Sequence, residues 1–391
     1  MKVLHIVKTA VGAGWAYHQV RELRRLGIEI VVALPSDTEG FAPRYHEVGA
    51  TVVPIHVDFP ARQPWRMAST LAACRRLAER VKPDLIHTHH VGTTLVARLA
   101  LGKRSPIPRI FQVPGILHLE HDFFARLDMQ LAGPRDYWIA TCQWMRRKYE
   151  ELGVPSSRLF LSYLSGDVHG FSDQRTGCLR RELGISSEIP LVGMVAYIYA
   201  PKWYLGQTRG LKGHEDFIAA LKLVREARPE VRGVIVGGPW GDATWYEDRL
   251  RYLGMKTCNG YLAFLGLRRD IPSIYPDLDL AVTPSHTENI PFSAIESLLS
   301  SVPVVATEVG GLPDLIKNNK TGWLVPPRQP EALANAILEA LKDRAEAKRR
   351  AIDGQKQARK LFDAGRTARE VAGIYEGILG RSGFEHRDVD S

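Results

Sequence analysis

The stretch Pro284-Ser285-His286-Thr287-Glu288-Asn289-Ile290-Pro291-Phe292-Ser293-Ala294-Ile295-Glu296 sets two glutamates apart by seven residues, directly behind the apolar run Leu280 to Thr283. Phe292, Ile295, Leu298 and Leu299 recur at helical spacing and a proline suits a helix's first turn, so Pro291 is expected to open a helix. Glu288 then lies in the loop before it and Glu296 one to two turns inside. Side chains lean toward a helix's amino end, which brings Glu296 back toward that loop. The amides from 290 to 293 would line a positive pocket for a phosphate, with a carboxylate on either side. A carboxylate accepts two hydroxyl hydrogen bonds at once, so one can hold a ribose diol and the other the hydroxyls of a hexose. Two glutamates on one helix are usually surface charges. Here the proline, the strand pattern ahead and the run Val302-Pro303-Val304-Val305-Ala306-Thr307-Glu308-Val309-Gly310-Gly311 behind favour a sugar-nucleotide site.

Two further stretches could touch phosphate. Lys8-Thr9-Ala10-Val11-Gly12-Ala13-Gly14-Trp15-Ala16-Tyr17 follows the apolar run Val3 to Val7. A dinucleotide fingerprint would need a third glycine where Tyr17 stands and an acid ending the second strand, which instead runs Ala33-Leu34-Pro35-Ser36. A nicotinamide enzyme is therefore disfavoured, and what remains is a glycine turn at a strand's carboxyl end, where doubly wound sheets bind ligands. Lys212-Gly213-His214-Glu215 opens a helical pattern and offers an ammonium that would neutralise a departing diphosphate. Its bland alternative is an exposed lysine at a helix start.

These residues must be carried by 391 residues, enough for two domains, of ordinary globular composition with 45% hydrophobic and 24% charged residues. Short β-branched runs alternate with longer helical patterns, the signature of parallel sheets covered by helices. Strands are expected at Val3 to Val7, Glu29 to Leu34, Leu85 to Thr88, Arg109 to Val113, Trp138 to Thr141 and Leu159 to Tyr163. The second half repeats the scheme at Leu191 to Ala196, Gly233 to Gly237, Ala263 to Leu265, Leu280 to Thr283, Val302 to Ala306 and Trp323 to Val325. Domains are accordingly expected over 1–170 and 188–363, with a C-terminal helix and tail over 364–391 and fraying from Arg381. The junction falls between Ser165 and Ile189, where no strand pattern fits. The net charge of +9, from 52 Lys and Arg against 43 Asp and Glu, fits a solvated basic face. Cys74, Cys142, Cys178 and Cys258 lie far apart in sequence, no C-x-x-C pair or histidine cluster suggests a metal site, and reduced thiols in a cytoplasmic protein fit best. The first residues are too short an apolar run for a signal peptide, and no run of eighteen apolar residues suggests a membrane span.

From Ala263 to Pro327 the chain resembles the donor-binding half of retaining glycosyltransferases of family four, which have the GT-B fold. The likeness rests on Phe264-Leu265-Gly266, Pro284-Ser285, the two glutamates, Pro303 to Thr307, Gly310-Gly311 and Thr321-Gly322-Trp323-Leu324-Val325-Pro326-Pro327. It extends forward through Pro83-Asp84-Leu85-Ile86-His87-Thr88-His89 and the Gly12/Gly14 turn. The resemblance implies two Rossmann-like domains facing each other across a cleft, an acceptor domain and then a donor domain, with the glycine turn opposite the donor. It implies that Glu288 meets the transferred hexose, Glu296 the ribose, the backbone of Asn289, Ile290, Pro291 and Phe292 the diphosphate, and Lys212 the diphosphate as well. The C-terminal helix is expected to pack back on the first domain.

The chain departs from the family in two places. An arginine usual after the first strand of the donor domain is replaced by Tyr197, and the insertion Tyr199 to Arg209 offers Lys202 and Arg209 instead, of which Arg209 is preferred. The histidine usual after the fourth strand is missing from Gln112-Val113-Pro114-Gly115, and His118, ahead of His121, is the candidate for touching the donor sugar near the reaction centre. A structural histidine is the alternative. Asp277-Leu278-Asp279 resembles the metal motif of the other glycosyltransferase fold but falls at a strand's beginning, so no metal or other cofactor is expected.

The reaction expected is transfer of a hexosyl group, with retention, from a nucleotide diphosphate sugar, uridine being the first expectation for the carrier. Alternatives are a hydrolysing sugar-nucleotide epimerase and a non-catalytic sugar-nucleotide-binding protein. The acceptor hydroxyl could belong to a lipid-linked sugar, a polysaccharide or a small aminocyclitol-like metabolite. No nucleic-acid partner is expected. The aromatic and basic stretch Phe59-Pro60-Ala61-Arg62-Gln63-Pro64-Trp65-Arg66-Met67 makes contact with an anionic inner membrane face conceivable.

Overall fold

In this computed structural model the described residues are 1–380 apart from Arg62, Ser165, Asp167, Tyr204 and Leu205, and Leu117 is described by its backbone. The tail from Arg381, Arg62 of the aromatic and basic stretch, two residues of the insertion and two of the junction therefore lie outside the described residues.

The chain forms two compact units, one from Met1–Asp167 joined by the chain from Phe362 onward, the other from Val168–Leu361. In the first, seven strands are all parallel: β1 Lys2–Ile6, β2 Glu29–Leu34, β3 Thr51–Pro54, β4 Leu85–Thr88, β5 Arg109–Gln112, β6 Asp136–Ala140 and β7 Leu159–Leu161, in the order β3-β2-β1-β4-β5-β6-β7. In the second, six parallel strands follow: β8 Leu191–Val195, β9 Arg232–Val236, β10 Leu262–Phe264, β11 Leu280–Thr283, β12 Val304–Thr307 and β13 Trp323–Val325, in the order β10-β9-β8-β11-β12-β13. In both sheets the strand order reverses beside the first strand of the unit, and at such a point the carboxyl ends of the strands open a crevice for ligands.

The strand missing from the sequence expectation is β3. It is four residues long, lies at the sheet edge and ends in Pro54, which an edge position tolerates. Alternation along β1 sends Val3 and Val7 to one face and Leu4 and Ile6 to the other, each into its own apolar cluster. The first face is covered in part by the helix Ala364–Ile378, whose Ala368, Val371 and Tyr375 are buried in it. The side chain of Asp363 accepts a 2.7 Å hydrogen bond from the amide of Arg366 and caps that helix. Ser162 donates to Glu370 at 2.9 Å and holds the helix to the end of β7. The second unit buries Val192, Met194, Ile235, Leu280, Val282 and Val305 beneath the helices His214–Ala227 and Pro330–Lys342. All four cysteines are free thiols, and no helix among the described residues is long and apolar enough to cross a membrane.

Candidate functional site

The carboxyl end of β11 delivers Pro284 into a loop that ends at Pro291, the N-cap of the helix Phe292–Leu299. Pro291 thus stands one position earlier than expected and, lacking an N–H, contributes no donor. Its carbonyl accepts from the amides of Ala294 and Ile295 at 3.1 and 3.3 Å, which starts the helical ladder. The amides of Phe292 and Ser293 therefore lie at the positive end of the helix ahead of that ladder. Ala294, Ile295, Leu298 and Leu299 anchor the helix in the core. Asn289 and Ile290 are buried within the loop, while Glu288, Phe292 and Glu296 are half-buried.

Two glycines explain how the loop is approached from both sides. Gly310 has φ +54°, and a Cβ there would fall 1.6 Å from the carbonyl oxygen of Glu288; its neighbour Gly311 donates to the carbonyl of Asn289 at 2.7 Å. Gly213 has φ +74°, and a Cβ would fall 1.9 Å from the carbonyl oxygen of Pro284. The amide of His286 donates to the carbonyl of Leu211 at 2.8 Å. Only glycine permits such backbone approach in a left-handed conformation, and the result is that Lys212 is set beside Glu288.

The Lys212 ammonium pairs with Oε1 of Glu288, which also accepts from the hydroxyl of Ser285 at 3.1 Å. The same ammonium lies 5.7 Å from the centre of the Tyr199 ring, whose hydroxyl is pushed up to about 12 by burial and by the charge of Glu288. Arg209 binds Oδ1 of Asp216 at 2.6 Å, and Oδ2 of Asp216 lies 2.6 Å from Nε2 of His286. The preferred replacement for the missing arginine is thus joined to the loop through an aspartate and a histidine, with about half its side chain exposed. Glu296, inside the helix, is pushed up to about 7 by burial, an effect opposed by Tyr275. The Tyr275 hydroxyl lies 2.8 Å from the carbonyl oxygen of Ser293 and 3.4 Å from Oε2 of Glu296.

Ser285, Asp216, His286, Tyr275 and Tyr199 were not read as site residues from sequence. Ser285 and His286, three and two residues ahead of Glu288, stand in the stretch the sequence singles out. Asp216, Tyr275 and Tyr199 meet the loop or its lysine across 13 to 70 residues of sequence, and His286, inside the loop, is marked out only by its distant partner Asp216.

In the first unit, Gly12 has φ +79° in the turn after β1 and Gly14 begins the helix Gly14–Arg25. Tyr17, where a dinucleotide fold would need glycine, packs its ring 5.4 Å from Phe41 and 5.6 Å from Tyr45. His118 lies in the short helix Leu117–Glu120 and is buried, with Nε2 3.0 Å from the Tyr149 hydroxyl, and burial pulls it down to about 4. This is the surrounding of a neutral structural histidine, the alternative to the donor-sugar contact named for it, and its buried ring offers little face to a sugar.

No histidine cluster was expected from sequence, yet His5, His87 and His89 come together with their ring nitrogens within 4.8 Å of one another, all fully buried. His5 and His87 are direct neighbours on β1 and β4. Nδ1 of His5 lies 2.8 Å from Nε2 of His89, and Nδ1 of His87 lies 2.6 Å from the Tyr375 hydroxyl. Burial holds all three rings well below the usual imidazole range. The hydrogen-bonded chain of neutral rings ties the helix Ala364–Ile378 to the sheet.

Asp277 and Asp279, at the beginning of β11, are occupied in the same structural sense. Asp277 accepts from the amides of Gly177 and Leu179 at 2.7 and 2.9 Å, and Asp279 binds Arg175 and Arg180 at 2.6 and 2.5 Å. They staple the start of the second unit to its sheet.

The fold and the charged loop define a doubly wound protein with paired charges and a helix amino end gathered at the carboxyl ends of the second sheet's strands, where such sheets take their ligands. The Glycosyl transferases group 1 family matches residues 203–358 and the Glycosyl transferase 4-like domain matches residues 12–162. The chain belongs to the family-four glycosyltransferases of the GT-B fold. It is 29% identical over 330 residues to the D-inositol 3-phosphate glycosyltransferase of Corynebacterium glutamicum, covering 77% of this chain and 74% of that one. It is 30% identical over 216 residues to the protein of the same name from Corynebacterium kroppenstedtii, and 27% identical over 177 residues to the lipopolysaccharide core biosynthesis mannosyltransferase LpsB of Rhizobium meliloti. These two matches span 53% and 44% of this chain, and only 45% and 50% of the relatives' lengths. The structure of Anabaena HepE in complex with UDP superposes with a TM-score of 0.79 at 21% identity, covering 96% of this chain and 99% of that one.

Proposed function

We propose that the protein transfers a hexosyl group, with retention and without a metal ion, from a uridine diphosphate sugar to an acceptor hydroxyl. The observation that carries this reading is the pairing of Lys212 with Glu288 at the amino end of the helix that bears Glu296. With donor bound, Glu296 accepts the ribose hydroxyls, and the amides of Phe292 and Ser293 face the diphosphate. Glu288 accepts hexose hydroxyls, and Lys212 exchanges part of its contact with Glu288 for the leaving phosphate oxygen. As the glycosidic bond lengthens, negative charge grows on the diphosphate, and an ammonium already positioned there stabilises the transition state more than the ground state. The acceptor hydroxyl attacks from the face that the diphosphate leaves, and a phosphate oxygen takes its proton. Positioning and electrostatics carry the catalysis, since no nucleophile from the protein is required.

Solved HepE structures with UDP-glucose and with UDP and glucose support trying a uridine donor first. The names of the relatives suggest acceptors of two classes, an inositol phosphate and a saccharide. A cytoplasmic setting, where nucleotide sugars are made, suits the reaction. The test is calorimetric titration with UDP, GDP and ADP, followed by assay of the sugar nucleotide of whichever binds against both acceptor classes. Binding of one diphosphate is expected, with its release from the sugar nucleotide strongly accelerated by an acceptor over slow hydrolysis by water. Isomerisation of the donor without acceptor would identify an epimerase, and binding without turnover a binding protein.

A further inference from the structure

Beyond the carboxyl ends of β8 and β9, pairing continues into the two following segments. The amide of Ala196 donates to Val236, that of Ile198 to Gly238 and that of Trp240 to Ile198, each at 2.9 Å. Gly237 makes the approach possible, with φ +140° and a Cβ position 1.8 Å from the carbonyl oxygen of Ala196. The extended alternation buries Ile198 completely and turns Tyr197 and Tyr199 the other way. There they meet Trp240, whose ring centre lies 5.0 Å from that of Tyr197 at 74° and 5.7 Å from that of Tyr199 at 32°.

Tyr197 is 42% exposed and Trp240 is 52% exposed. Contiguous aromatic surface left open on a tightly fixed backbone, beside a charged site, offers a flat contact for a ligand ring. The patch is continuous with the charged site, since Tyr199 is the ring against which the Lys212 ammonium rests. It also begins at Tyr197, the position where the family resemblance expects an arginine. A neutral ring there cannot bind phosphate by charge. It can bind the flat face of a base or the C–H face of a sugar ring.

We infer that Trp240, with Tyr197 and Tyr199, forms a stacking platform for a ring of the sugar nucleotide, either its base or its hexose. The inference rests on the donor reading above and names a specificity-determining contact within it. The platform replaces one of the charges expected on the diphosphate with ring stacking, so that affinity depends less on salt than a purely phosphate-gripping site would.

The test is calorimetric titration of UDP and UDP-glucose into wild type, Trp240→Ala and, as a control, Trp245→Ala, whose side chain is also about half exposed and has not been placed on the platform. Stacking predicts a loss of about tenfold or more in Trp240→Ala. Equal loss for both ligands places the base on the platform, and loss for UDP-glucose alone places the hexose there. Unchanged affinity for both ligands in Trp240→Ala, with UDP still weakened in Glu296→Ala, would overturn the platform and leave the donor site standing. Equal weakening in Trp245→Ala would overturn it too. Absence of binding of either ligand to wild type would remove the uridine donor reading and the platform with it.

Discussion

The buried network of the first unit and the loop after β11 in the second treat polar side chains in opposite ways. In the first, Arg98, Arg109, Asp128 and Asp136 form a buried network: Arg109 holds Asp136 through two 2.8 Å bonds, Arg98 pairs with Asp128, and Trp138 donates to Asp128 at 3.2 Å. The histidine chain and His118 are equally enclosed. In the second, Asp277 and Arg180 are enclosed in the same way ahead of β11, but around the loop at the strands' carboxyl ends the charges are paired to one another and partly open, as in Lys212 with Glu288 and Arg209 with Asp216. Enclosed polarity with satisfied partners specifies a fold, whereas half-open pairs at strand ends can exchange partners with a ligand. The contrast therefore assigns stability to one set and chemistry to the other, and mutations separate them.

The largest effect should come from the enclosed set. Asp136→Asn removes the charge facing Arg98 and Arg109 and should destabilise the protein by about 3 to 5 kcal/mol, read as a lower denaturant midpoint. UDP affinity of the protein that remains folded should hold, and a selective loss of UDP binding with normal stability would reverse the contrast. Lys212→Ala should do the opposite, lowering turnover by about 100- to 1,000-fold, comparable to removal of one oxyanion-hole donor, with a smaller change in melting temperature.

A finer division is expected within the open set. Glu296→Ala should weaken UDP by about tenfold or more, the worth of hydrogen bonds to a charged group, whereas Glu288→Ala should mainly lower kcat. Equal UDP affinity in Glu296→Ala and wild type would cancel the ribose assignment. The carboxyl of Glu296 is pushed up to about 7 by burial, so its carboxylate forms as pH rises through that value. UDP should therefore tighten between about pH 6 and pH 8 in wild type, and that component should vanish in Glu296→Gln. For stability the sign is reversed: burial disfavours the charged form, and this group's contribution falls as pH rises from the ordinary carboxylate range through about 7. The smallest effect is that of a chelator, which should leave turnover unchanged; loss restored by magnesium or manganese would return Asp277 and Asp279 to consideration.

The strands were legible because β-branched runs such as Glu29–Leu34 and Leu280–Thr283 stand between helical patterns, and β3 was not because a four-residue edge strand ending in proline carries little pattern. The placement of Glu288 in the loop, Glu296 in the helix and Lys212 ahead of a helix was legible because loop, proline, glycine and helix signals are local. The Arg209–Asp216–His286 connection and the position of Tyr275 under Glu296 were not, since each depends on which strand ends the sheet order makes neighbours. His118 shows the same limit from the other side. Leu117-His118-Leu119-Glu120-His121 is too polar to bury without partners, and Tyr149, supplied by another helix 31 residues on, is the partner that lets the ring go inside.

The most direct measurement is the anomeric configuration of hexose freshly released from an α-linked UDP-hexose, with water as the acceptor, followed by NMR before mutarotation. Attack from the leaving-group face, as proposed, predicts that the first signal is the α anomer, with its small anomeric proton coupling, and that Lys212→Ala slows its appearance. Initial release of the β anomer would contradict the retaining mechanism.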